Sequence, residues 1–301
     1  MSARRLELPI TGALAGIKVD TLLKRHLGLS GTVVRRIKWL EDGILVDGAR
    51  VNTRFCPQEG QVLSVRLSDP ERRSGILPAP GPLDIVYEDG DVVVLNKAPG
   101  VPVHPGPGHY SDTIGNYLLY YYDQEGTEGD FHPVHRLDRG TSGLLVVARH
   151  PHAQEVLKEQ LHTDGFRREY LAVCEGILEP PVGTIEEPLG PKPGSLVEQM
   201  VRPDGKFART HYEVLKAGES CTLVRLVLDT GRTHQIRVHL AHLGHPLVGD
   251  FLYGKEEPER IPRPALHSHR LTFRHPITAQ EMTFTAPVPR DMKRLLEQKG
   301  L

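Results

Sequence analysis

The sequence predicts an α+β protein, with a mixed-sheet C-terminal domain preceded by a small α/β domain. Three observations carry this. Strand-sized apolar runs and helical periodicities are interspersed without a regular strand–helix–strand repeat. The stretch SDPERRSGILPAPGP, Ser68–Pro82, is rich in Pro, Gly and charge and divides the chain. Hydrophobic residues make up 39% of 301, enough for a substantial core and too many for general disorder. The expected division is a domain over 1–70, a linker over 71–82 and a second domain over 83–301.

In the first block Val19, Leu22, Leu23 and Leu27 recur at helical spacing, and Val33, Val34, Ile37 and Leu40 repeat the pattern after Gly28-Leu29-Ser30-Gly31. Ser30 is placed to cap the second helix. Ile44–Val51 reads as a hairpin, because Asp47-Gly48 suits a tight turn with positive φ. Beyond the divide, Asp84–Tyr87 and Asp91–Asn96 read as strands around a second Asp-Gly pair, Asp89-Gly90. Ile114, Tyr117, Leu118 and Tyr121 mark a helix face. Val134–Leu137 and Leu144–Ala148 read as strands around a Gly/Thr/Ser loop. Pro151 opens a helix whose stripe is Ala153, Val156, Leu157 and Leu161. Glu169–Cys174 and Cys221–Leu228 read as strands. Ile236–Leu243 reads as a helix that Gly244 stops.

The net charge is -1, so any contact with a polyanion must come from local basic patches. Three cysteines without a CxxC pair argue against a disulfide framework and fit a reducing compartment. No apolar stretch follows the basic start MSARRLELPITG, so no signal peptide is expected. The longest apolar runs are strand-sized, so no membrane span is expected either. A soluble, cytoplasmic monomer is the expectation.

The chemistry concentrates in His135-Arg136-Leu137-Asp138-Arg139-Gly140-Thr141-Ser142-Gly143. A lone loop Asp is usually a turn or capping residue. Here two arginines flank the carboxylate at the end of a strand, and Gly140 and Gly143 would let the backbone approach a ligand closely. HRLDRGTSGL resembles the signature of the RluA-type RNA pseudouridine synthases. DGDVVVLNKAPGVPVHPG (Asp89–Gly106), TGRTHQIRVHLAHLGHPLVGDFLYG (Thr230–Gly254) and LHSHRLTFRHP (Leu266–Pro276) are similar to three further segments of that family, in chain order. Ala98 and Ser268 stand where the family commonly has Pro and Ala.

The resemblance implies an isomerase that converts uridine to pseudouridine in structured RNA, large-subunit ribosomal RNA first and transfer RNA second, without a cofactor. It implies Asp138 as the catalytic carboxylate, Tyr170 as the active-site tyrosine and Arg232 as the cation paired with Asp138. It also implies Arg136 as the side chain that fills the gap left by a flipped-out base. Read alone, Tyr170 would be a core strand tyrosine, Arg232 a solvated loop residue and Arg136 a structural ion-pair partner.

The first block is similar to a small RNA-binding module, the alpha-L motif, found in a ribosomal small-subunit protein and in some tRNA synthetases. Lys24, Arg25, Arg35, Arg36 and Lys38 cluster on its two helices, where they can contact phosphates without reading sequence. A solvated charged face is the plain alternative. His234, His239, His242 and His245 raise a metal hydrolase as a rival, but no carboxylate recurs at ligand spacing, so no metal is expected. A non-catalytic RNA-binding or ribosome-assembly factor is the other rival.

Overall fold

The computed structural model describes residues 3–161 and 163–301, so the first two residues of the expected N-terminal unit lie outside it. The N-terminal block opens with β1 (Arg5–Pro9). One turn of α1 (Val19–Thr21) then passes into a π-helical stretch over Leu22–His26. Next come α2 (Gly31–Ile37), β2 (Ile44–Val46), β3 (Ala49–Arg50) and β4 (Val62–Arg66). The strands form an antiparallel sheet in the order β1-β4-β2-β3. The helices cover it through Val19, Leu22, Leu23, Val33, Val34 and Ile37, which bury with Ile44, Val46, Leu63 and Val65. The expected caps and turns form as the residue types dictate. Ser30 accepts the Val33 amide at 3.2 Å, and Asp47 and Gly48 take φ of 50° and 80°.

The larger part of the chain runs β5 (Ile85–Glu88), β6 (Val92–Lys97), α3 (Ile114–Gln124), β7 (His132–Pro133), β8 (Ser142–Ala148), α4 (Pro151–Gln160) and β9 (Phe166–Glu175). It continues with β10 (Val182–Glu186), β11 (Leu189–Pro191), β12 (Gln199–Val201), β13 (Arg209–Ala217), β14 (Cys221–Leu228) and α5 (Gln235–His242). It ends with β15 (Leu266–Arg274), β16 (Glu281–Thr285) and α6 (Arg290–Gln298). One ten-stranded sheet has the order β10-β13-β14-β9-β15-β8-β6-β5, with β16 on β15 and β7 on β8. The β8–β15 pair is parallel and its neighbours are antiparallel, so the sheet is mixed and the fold is α+β. A core holding Leu118, Leu119, Tyr122, Leu145, Ala172, Leu226 and Leu240 packs α3 and α5 against the sheet, and Ala153 and Leu157 of α4 belong to a second cluster.

Three expectations need correction. The segment Val134–Leu137 is not a strand: His132–Pro133 pairs with β8, and one further bond joins the Val134 amide to the Val146 carbonyl. The chain then leaves the sheet, which turns Arg136 and Asp138 towards a cavity. The turn at Asp89-Gly90 does not use positive φ at Gly90. Instead the Asp89 carboxylate accepts the amides of Asp91 and Val92 at 2.8 and 2.9 Å. Gly143 serves strand packing rather than a ligand. Its φ is +107°, and a Cβ there would lie 2.2 Å from the Ser268 carbonyl oxygen across the parallel pair.

The stretch after β4 has no helix or strand up to β5, but it is bound down. Arg72 bonds Asp123 and the carbonyls of Leu119 and Gly129. The buried Asp130 accepts the amides of Arg73 and Ser74 and the Ser74 hydroxyl. Asn116 donates to the Leu77 carbonyl at 2.7 Å. Closer to the N-terminus, Arg4 forks onto Asp91 at 2.8 and 2.9 Å, and Arg66 pairs with Glu128.

Candidate active site

The cavity of about 310 Å³ beside Asp138 is walled mainly by three segments. The loop after β7 supplies His135, Arg136 and Asp138, β9 supplies Arg168 and Tyr170, and the turn into α5 supplies Gly231–Arg237. Leu228 and Leu266 add apolar surface. Alternation along β9 explains why Arg168 and Tyr170 face the same way, since residues two apart share a face of a strand. The Asp138 side chain is 21% exposed, so its carboxylate is reachable from the cavity yet largely shielded.

The cation beside Asp138 is Arg237, not Arg232. Arg237 Nη1 stands 3.7 Å from Asp138 Oδ2. Its Nε and Nη2 form a fork of 2.7 Å bonds to Asp250, whose side chain is fully buried. Burial works against the Arg237 charge, but the hydrogen bonds and charge of Asp250, with the charge of Asp138, outweigh it and raise the pKa. Arg232 lies on the cavity wall but turns its Nε to the Phe207 carbonyl at 2.9 Å. The reason is local. The Gln235 side chain accepts the Arg232 amide and the Thr230 hydroxyl, and this cap directs Arg232 outward while α5 carries Arg237 inward. The family resemblance points to the arginine of the Gly-Arg-Thr turn, whereas the structure brings the one five residues later to Asp138.

His234 is a second neighbour that sequence reading treated only as a member of the histidine cluster. Its backbone is left-handed, with φ 56°, where α5 begins. Its Nδ1 lies 2.8 Å from the Tyr253 hydroxyl, and that oxygen accepts the Gln199 amide at 2.8 Å. Among the described residues the hydroxyl proton has His234 Nδ1 as its acceptor. With the hydroxyl proton donated to Nδ1, the ring proton is assigned to Nε2, which stands 4.0 Å from Asp138 Oδ2. Burial lowers the His234 pKa, and Arg237 adds to that while Asp138 opposes it. A neutral donor thus sits beside the carboxylate.

Tyr170 is 5% exposed within the main core and contributes to the cavity wall. Burial raises its pKa, so the resting side chain is a neutral phenol, suited to packing on a base. Arg136 is exposed at the rim, and no hydrogen bond or ion pair holds it among the described residues. Lys97, with 2% of its surface exposed, anchors the loop from below. Its Nζ donates to the carbonyls of Ala98, Val101 and Arg139 at 2.9, 2.9 and 3.1 Å. Burial pushes its pKa down to about 7, although three carbonyl acceptors match the three N–H bonds of an ammonium.

The basic residues of the N-terminal block do not form one uniform patch. Lys24, Arg25 and Arg35 are exposed, with Lys24 2.8 Å from Asp20. Arg36 is half-buried and turned towards Asp69 at 3.9 Å. Lys38 Nζ lies 4.8 Å from the ring centre of Trp39, which is 76% exposed and which sequence reading did not single out. The histidines expected not to bind metal have other partners. His239 meets Thr210 and the Glu187 carbonyl, and His245 meets the Glu175 carbonyl. Among the described residues Asp89, Asp91 and His275 come together at ligand-like spacing. That group already engages Arg4 and His150.

Comparison with known proteins places this geometry. The family described as RNA pseudouridylate synthase matches residues 91–242. The chain is 41% identical over 272 residues to the Bacillus subtilis (strain 168) protein named "Uncharacterized RNA pseudouridine synthase YjbO", covering 90% of this chain and 96% of that one. It is 40% identical over 277 residues to ribosomal large subunit pseudouridine synthase D of Escherichia coli O157:H7, covering 86% and 84%. The solved structure of human RNA pseudouridylate synthase domain containing 4 superposes with a TM-score of 0.59 at 25% identity, covering 72% of this chain and 93% of that one. The family match takes in half of the chain and these relatives align with most of it, so the chain belongs to the RNA pseudouridine synthase family, of the RluA type, and is an RNA-modifying isomerase.

Proposed function

We propose that this enzyme isomerises specific uridines of large-subunit ribosomal RNA, with Asp138 as its catalytic carboxylate. The observation that carries the reading is the shielded Asp138 carboxylate, set in one cavity with Tyr170 and held between Arg237 and His234. Isomerisation breaks the bond from the ribose anomeric carbon to N1 of uracil and rebuilds it to C5. No electrons or co-substrate are required. A carboxylate at that position can assist departure of the base by attacking the anomeric carbon or by acting as a base on the ribose. A uridine inside a helix reaches the cavity only by flipping out, at a cost of a few kcal/mol. Arg136, exposed at the rim, is placed to take over stacking in the gap.

The ribosomal substrate is supported by the 40% identity to a synthase named for the large subunit. We assign residues 1–70 as an RNA-binding unit, with Lys24, Arg25, Arg35, Lys38 and the exposed Trp39 as its contact face, because cations beside an open aromatic ring suit phosphates and unpaired bases. The enzyme is assigned as a monomer that works in the cytoplasm, where its RNA is. No helix among the described residues is long and apolar enough to cross a membrane. The test is to map pseudouridine in ribosomal and transfer RNA from cells with and without this gene, then restore it with the purified enzyme. Loss and restoration of sites in large-subunit RNA is the expected outcome. Changes confined to transfer RNA, or none at all, would overturn the substrate assignment.

A further inference from the structure

Arg168 is a buried cation with no counterion among the described residues. Only 5% of its surface is exposed, and its Nε is sealed from solvent with no hydrogen-bond partner. No ion pair or hydrogen bond of its guanidinium is found among the described residues, and both adjacent residues use their charges elsewhere. Arg167 and Arg225 approach Glu169 at 3.3 and 3.9 Å. The space for the guanidinium is provided by Gly231, where a Cβ would lie 2.9 Å from Arg168 Nη1. Burying a charge unpaired is costly, so a side chain held this way marks a place where an anion belongs.

A second orphan donor stands beside it. His135 accepts the Val146 amide on Nε2 at 3.3 Å, which puts the ring proton on Nδ1, and that atom is buried with no hydrogen-bond partner among the described residues. Burial pushes the His135 pKa down to about 3, so the ring is neutral. Both side chains lean on Phe166: the His135 ring centre is 5.7 Å and Arg168 Cζ 5.9 Å from the Phe166 ring centre. Both line the Asp138 cavity.

We propose that Arg168, with His135 Nδ1, binds a backbone phosphate of the substrate RNA next to the uridine held in the cavity. A flipped nucleotide carries its formal negative charge on the phosphate, and uracil itself is neutral. Arg168 lies two residues along β9 from Tyr170, which is about 7 Å on an extended strand and comparable with the distance from a base to its own phosphate. This deepens the RNA isomerase reading and rests on it for the identity of the anion.

The test is a methylphosphonate scan of the linkages around the target uridine, with the ribose on the 5′ side of each replaced linkage made deoxy in both the neutral and the charged RNA. Binding is measured with wild type, Arg168→Met and Arg168→Lys. For wild type, neutralising one adjacent linkage should weaken binding about tenfold or more relative to the charged control. Arg168→Met should bind the charged RNA about as weakly and lose little more at that linkage, while Arg168→Lys should keep part of the sensitivity. Wild type alone can refute the proposal: if no adjacent linkage matters, Arg168 holds no phosphate. Equal losses at every linkage in wild type and Arg168→Met would also overturn it. So would an Arg168→Met enzyme with full affinity but a slowed single turnover, which would assign the guanidinium to the departing uracil. Pseudouridine formation by wild type on the unmodified RNA is scored in parallel, so a wrong RNA is recognised separately from a wrong phosphate site.

Discussion

The guanidinium of Arg237 stands 3.7 Å from the carboxylate of Asp138 while it is locked to the buried Asp250 on its other edge. Removing it should therefore act on both chemistry and stability. Arg237→Met leaves Asp250 uncompensated, which should cost about 3–5 kcal/mol of stability. The Arg237→Met/Asp250→Asn pair relieves that cost and isolates the effect on Asp138. For the folded double variant, the single-turnover rate should fall, because the cation that stands 3.7 Å from the Asp138 carboxylate is gone. Arg232→Met, which gives up one bond to the Phe207 carbonyl, should keep the wild-type rate and melting temperature. The reverse pattern would return Arg232 to the centre of the site.

Asp138→Asn should abolish isomerisation by at least about 10³-fold while leaving RNA affinity within a few fold of wild type. Its carboxylate makes no short hydrogen bond among the described residues, with the charged Arg237 Nη1 at 3.7 Å and the neutral His234 Nε2 at 4.0 Å. The isosteric change should therefore leave the fold intact. Tritium release from C5-labelled uridine in RNA measures the rate, and activity within tenfold of wild type would refute the assignment.

Much of this site was legible because its residues lie in contiguous segments: Asp138 and Arg136 in one, Tyr170 in another, Arg232 and Arg237 in a third. Local signals such as the Ser30 cap and the Asp47-Gly48 turn were legible for the same reason, since they depend on neighbours a few residues away. Which arginine meets Asp138 was not, because it depends on the Gln235 cap and on Asp250, thirteen residues beyond Arg237. That Arg168 finds no counterion among the described residues was also invisible, since a sequence does not show where counterions fail to arrive. The stretch Ser68–Pro82 reads as a linker because its composition is that of one. Its backbone is instead held by Asp130 and Asn116, residues far away in sequence.

The Arg4–Asp91 fork gives a pH-dependent tie between the N-terminus and the catalytic sheet. Burial opposes the Asp91 charge, and hydrogen bonds from His150 and Arg4 more than offset it, so its pKa falls well below the usual carboxylate range. A depressed pKa of this kind contributes stability that is present above the unfolded carboxylate value, about 3.9, and is lost as pH falls towards the folded value. Arg4→Met removes one of the two donors and makes the depression smaller. Acid unfolding followed by circular dichroism should then begin at a higher pH than in wild type, with little change at neutral pH beyond loss of the tie. An unchanged acid midpoint would mean that His150 alone sets the Asp91 charge.

Cutting the chain at two places should distinguish a linker from a strap. Composition alone favours a catalytic fragment starting after Pro82. That cut removes Arg72 from Asp123, the Arg73 and Ser74 amides and the Ser74 hydroxyl from Asp130, and the Leu77 carbonyl from Asn116. Asp130 is 3% exposed and would keep only the Phe131 amide among its present partners, and Ile76 would leave the apolar core it packs against. Stripping a buried carboxylate of its donors costs about 3 kcal/mol or more. A fragment covering 71–301 keeps all of these interactions and gives up the N-terminal sheet with its basic face. The longer fragment should melt cooperatively and retain the chemistry of the Asp138 cavity. Its RNA binding should be weaker, with the salt slope reduced by about 0.7–0.9 for each phosphate that is no longer neutralised. The shorter fragment should melt several degrees lower or aggregate. Thermal melting of both fragments, with binding titrated over salt concentration for the longer one, reads these outcomes. Equal melting temperatures would show that the 71–82 segment is a passive linker, and an unchanged salt slope would show that the N-terminal helices do not touch RNA.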